Sequence, residues 1–97
     1  MIIVGVYALK GKINYRLGDK IEAIRNYDNA IEEQLKYLSV CGESGELASP
    51  EYYFHRGNIK KELGDLKGAC SDWAKAAKGN QSPFSREAAE FLREHCG

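Results

Sequence analysis

The tripeptide LGD occurs twice, at Leu17–Gly18–Asp19 and Leu63–Gly64–Asp65, 46 residues apart. It marks the middle of a longer internal repeat. Tyr7, Gly11, Gly18, Ala23, Tyr27 and Ala30 are separated by 4, 7, 5, 4 and 3 residues, and Tyr53, Gly57, Gly64, Ala69, Trp73 and Ala76 show the same five intervals. Residues 4–33 and 50–79 share eight identical positions in this register. A chain that spells one supersecondary unit twice is constrained to stack copies of that unit.

The periodicity is helical. Apolar residues recur at three- and four-residue steps over about 3–17, 20–38, 50–63, 66–78 and 83–95. In the first segment Ile3, Val6, Tyr7, Ile13 and Leu17 fall near one face. Ile21, Ile24, Tyr27, Ile31, Leu35 and Leu38 do so in the second. In the fourth, Leu66, Ala69, Cys70, Trp73, Ala76 and Ala77 point inward. Each LGD ends one helix and starts the next: glycine takes a left-handed C-cap and aspartate caps the following N-terminus. Ser49–Pro50–Glu51 and Ser82–Pro83 are helix starts of the Ser-cap, Pro-first kind. Residues 39–49, with two glycines, break the pattern and read as a loop. No stretch alternates with period two long enough for a strand. The expected fold is all-α: two helical hairpins and a closing helix.

The repeated small residues have a packing logic. Glycine inside a helix costs about 1 kcal/mol relative to alanine, so Gly11 and Gly57 imply close approach of another helix. Ala23 and Ala69 admit the first helix of each pair, Tyr27 and Trp73 fill space between neighbouring pairs, and Ala30 and Ala76 leave room for the next element.

At these positions the chain resembles the tetratricopeptide repeat, whose pattern spaces an aromatic, a glycine, an alanine, an aromatic and an alanine in this way. The resemblance implies a helical-hairpin solenoid forming one domain over 1–97. Its parts are repeat one at about 4–35, an insertion and loop at 36–49, repeat two at 50–81 and a cap helix at 82–97. The chain departs from the family at Lys10 and Arg56, where a leucine is usual, and at Asn14 and Lys60, where a tyrosine is usual. It also lacks the proline after the second helix. The offset of 46 exceeds the family period of about 34, so about 12 extra residues separate the copies.

Family members bind peptides or protein segments along the first helices of successive pairs. Transferred by register, that surface comprises Gly5, Ala8, Lys12, Tyr15 and Arg16 in repeat one. In repeat two it comprises Glu51, Phe54, Asn58, Lys61 and Glu62. The resemblance implies that Tyr15 and Phe54 would supply apolar contact, Lys12, Arg16 and Lys61 would hold a carboxylate, and Asn58 would bond a peptide backbone. The lysine–asparagine clamp that some members use for chaperone tails is replaced by Ala8 and Lys12, so chaperone-tail binding is not expected.

Other chemistry is thinly represented. Fourteen basic and fourteen acidic residues cancel, which gives no basic footprint for nucleic acid. His55, His95, Cys41, Cys70 and Cys96 lack metal-ligand spacing. Cys41 with His55 is the only nucleophile–base pair worth naming, and no phosphate-loop motif is present. Glu32, Glu33, Glu43 and Glu46 read as solvated surface. No metal, cofactor or catalysis is expected. Three cysteines, an odd count with no basic n-region ahead of the first apolar run, argue against a disulfide framework and for a cytoplasmic protein. On that view Cys70 is a small buried hydrophobe, while Cys41 and Cys96 are candidate reactive thiols. The first apolar run ends at Lys10, far short of a membrane span of about 20 residues.

The resulting expectation is a non-catalytic module that binds a protein or peptide partner. The alternative is a self-assembling subunit. Two repeats are few for a continuous solenoid core, and the N-terminal face with Ile2, Ile3, Val4 and Val6 lacks a cap. Another copy of the chain or an upstream repeat would then cover it.

Overall fold

A computed structural model describes residues 2–40, 48–78 and 82–96. Five helices account for nearly all of them, with no strand among the described residues: α1 (Ile2–Arg16), α2 (Lys20–Val40), α3 (Pro50–Glu62), α4 (Leu66–Ala77) and α5 (Pro83–His95). The helix at residues 39–40 belongs to α2, and residues 41–47, with Cys41 and most of the expected loop, lie outside the described residues. The chain divides into two compact units, Met1–Ala48 and Ser49–Gly97.

Both LGD turns are built alike. Gly18 and Gly64 have φ of 87° and 91°, a conformation in which an L side chain is strained. The amide of Asp19 donates to the Asn14 carbonyl at 2.9 Å, and that of Asp65 to the Lys60 carbonyl at 2.8 Å. Each aspartate then caps the next helix: Asp19 Oδ1 accepts from the Glu22 amide at 3.2 Å and Asp65 Oδ1 from the Gly68 amide at 2.9 Å. Chain reversal over three residues lays the two helices side by side as an antiparallel hairpin. At the other starts, Ser82 Oγ accepts from the Phe84 amide, whereas Ser49 holds the cap position without a side-chain capping bond.

Inside each hairpin an aromatic ring lies on a glycine. A Cβ added at Gly11 would come within 2.8 Å of Tyr27 Cε2, and one added at Gly57 within 2.9 Å of Trp73 Nε1. Tyr27 and Trp73 are 2% and 0% exposed, and Ala23, Ala30, Ala69 and Ala76 around them are fully buried. The aromatics therefore fill the interior of their own hairpin, not only the space beyond it.

This contact reverses part of the expected burial. With Ala8 and Gly11 buried, α1 turns its larger residues outward: Val6 and Ile13 are exposed, as is Leu17 in the turn that follows. Ile21 and Leu66, expected inside, are exposed too. Periodicity located the apolar stripe correctly but not the side facing the partner helix. Small residues decided that, because only they let the two backbones close around a ring.

The second unit carries a third helix. Phe91 of α5 stacks on Phe54 of α3 with ring centroids 5.5 Å apart, Phe84 packs against the same ring at a tilt at 5.6 Å, and Phe91 meets Trp73 of α4 edge-on at 5.2 Å. A disulfide joins Cys70 of α4 to Cys96 just past α5. This overturns the reading of Cys70 as an inert hydrophobe and Cys96 as a free thiol. The pair is created by packing: α5 returns along α4 and brings together two cysteines 26 residues apart, which their count alone does not reveal.

Two outcomes are expected. Gly57→Ala overpacks the Trp73 contact and lowers stability by about 1–3 kcal/mol, whereas Gly5→Ala, which meets nothing within 4 Å, raises it by up to about 1 kcal/mol. Urea titrations followed by circular dichroism compare the two. Reduction of the bridge, or Cys96→Ser, removes the constraint on a 26-residue separation, about 3.5 kcal/mol on the loop-entropy scale. It is measured as a lowered denaturation midpoint in reductant.

Candidate protein-interaction surface

A polar contact joins the two helices of each hairpin. Arg56 holds Asp72 with two hydrogen bonds, Nε to Oδ2 at 2.9 Å and Nη2 to Oδ1 at 2.7 Å. Lys60 Nζ lies 3.2 Å from Asp72 Oδ2. The Asp72 side chain is 2% exposed, so two cations hold a buried carboxylate between α3 and α4. The equivalents in the first unit, 46 residues earlier, are Lys10, Asn14 and Asn26. There the contact is neutral: Asn26 Nδ2 donates to Asn14 Oδ1 at 2.6 Å. Arg56 and Lys60 thus have a shared structural role: both neutralise the buried aspartate at position 72.

The sequence-derived surface residues fall into two groups. On α1, Lys12, Tyr15 and Arg16 are exposed, and Ala8 is buried. On α3, Lys61 is exposed, but Phe54 is buried under the α5 phenylalanines and Asn58 Oδ1 accepts the Trp73 indole N–H at 3.0 Å. Phe54 and Asn58 thus hold the second unit together. The position equivalent to Phe54 in the first unit is Ala8, too small to anchor a third helix.

Sequence reasoning missed how much apolar surface α1 leaves open. Val6, Leu9 and Ile13 are 43%, 58% and 48% exposed. They follow steps of three and four, about 100–160° around the helix from Ala8 and Gly11. The readable signal was the pairing of small residues on one side with branched residues on the other.

His55 packs against Phe54 and Phe84, with Nε2 3.7 Å from Glu51 Oε2. Among the described residues no group of three His, Cys, Asp or Glu side chains gathers as a metal site would require. No helix there is long and apolar enough to cross a membrane. Comparison with family models, curated proteins and solved structures finds no match to the chain.

Removing Asp72 takes away the buried carboxylate that Arg56 and Lys60 both hold. Asp72→Ala is expected to cost about 3–5 kcal/mol, and Asn26→Ala, at the neutral equivalent, only about 1–2 kcal/mol. Thermal and urea unfolding of the two variants give the comparison.

Proposed function

We propose that the chain is a non-catalytic interaction module of the tetratricopeptide type. It binds a peptide or protein segment along the exposed surface of the first helix of each pair, the surface that members of that family use. The supporting observation is the orientation of α1. Its small residues are spent on the hairpin, and Leu9, Lys12, Ile13, Tyr15 and Arg16 are left exposed. Aromatic and arginine side chains are enriched where proteins meet, and a helix that buries its small face and presents such residues is suited to a partner.

On this reading Lys12, Tyr15, Arg16 and Lys61 make the contacts, while Ala8, Phe54 and Asn58 support the backbone that carries them. No metal or cofactor takes part. The rival reading is a self-assembling subunit whose N-terminal face, including exposed Val6, is covered by a second copy. We propose a cytoplasmic location for the form in which Cys70 and Cys96 are reduced; the bridged form suits an oxidising compartment.

Tyr15→Ala combined with Lys61→Glu is expected to weaken capture of the native partner at least about tenfold, since interface anchors are each worth more than about 1 kcal/mol. The far-ultraviolet circular dichroism should not change. Partner capture that survives this pair argues against the reading. Loss of a dimer with no partner lost favours self-assembly.

A further inference from the structure

We infer that the outward face of α1 seats an amphipathic helix whose apolar seam is flanked by glutamate or aspartate. The inference rests on the proposed interaction role and specifies the partner's chemistry. Val6, Leu9 and Ile13 have the alternating three- and four-residue spacing of a coiled-coil seam. Valine and isoleucine occupy the a positions and leucine the d position between them, the combination that suits two-stranded packing. All three side chains are exposed.

The face is held in place from behind. Gly11 lies on the Tyr27 ring and Asn14 is bonded to Asn26, so α1 cannot rotate its stripe inward without losing both contacts. A preformed face of this kind binds without first reorganising.

Charge selects the occupant. Lys10 and Lys12 occupy the e and g positions beside the seam, both exposed, and α1 contains no acidic residue; the first in the chain is Asp19. Residues at e and g set partner choice and orientation in such pairs. A second copy of α1 aligned antiparallel brings Lys10 against Lys10 and Lys12 against Lys12. A parallel copy offers neither lysine an acid. A helix with acidic flanks matches both lysines and is attracted to the face before contact.

The test uses the whole chain and a synthetic three-heptad helix with isoleucine at a, leucine at d and glutamate at e and g, against the same helix with lysine at e and g. By fluorescence anisotropy at low salt the glutamate helix is expected to bind at least about tenfold tighter, and added salt to reduce the difference. Leu9→Asp with Ile13→Asp should abolish binding. Lys10→Glu with Lys12→Glu should reverse the preference toward the lysine helix with helicity unchanged. Equal binding of the two helices, or binding of neither, overturns the inference. So does a dimer of the chain that Ile13→Asp dissociates, which would assign the face to a second copy. Tight binding to phosphatidylserine vesicles with no helix preference would assign it to a membrane surface. A native partner that tolerates Leu9→Asp with Ile13→Asp but is lost on Tyr15→Ala with Lys61→Glu overturns this inference alone and leaves the interaction role standing.

Discussion

An aromatic ring pressed against a helical glycine holds each hairpin together. Tyr27 on Gly11 and Trp73 on Gly57 need the two helix axes close enough that a Cβ at either glycine would fall within 3.0 Å of the ring. Once that distance is set, the surrounding positions must be small, and Ala23, Ala30, Ala69 and Ala76 are. The turn must also be short and tightly reversed, which the left-handed Gly18 and Gly64 allow. The rotation of the first helix about its axis follows from the same contact.

The two units share this frame and use it differently. In the second, Phe54 provides a landing surface for α5, Asp72 gathers Arg56 and Lys60, and Cys70 is bridged to Cys96. Aromatic stacking, a buried ion cluster and a covalent link all serve internal stability there. In the first unit the equivalents are Ala8, Asn26 and Ile24. A neutral amide pair replaces the ion cluster, and among the described residues no third helix packs on this pair. Among the described residues the first unit therefore has the larger share of exposed large apolar side chains, and they lie mainly on α1 and at its turn. Ile13 and Ile59 make the contrast concrete: the same residue at the same repeat position is 48% exposed in one unit and 3% in the other.

Much of this was legible without coordinates. The five helices, the two aspartate caps and the left-handed glycines were all readable, because each depends on residues within a few positions of one another. Less of the candidate surface could be read. Lys12, Tyr15, Arg16 and Lys61 are exposed as a first-helix surface requires, but Phe54 and Asn58 are drawn into packing by α5 and Trp73. Register alone could not foresee that, because it compares each residue with its own repeat and not with the helix that follows.

The sequence by itself determined the repeated unit, its helix boundaries and its turns, since capping and backbone conformation are local. Only the tertiary structure decided which side of α1 faces outward, where the Asp72 charge is neutralised and that Cys70 meets Cys96. Those outcomes depend on how closely two helices approach, and that distance is set by an aromatic ring and a glycine sixteen residues apart in the chain.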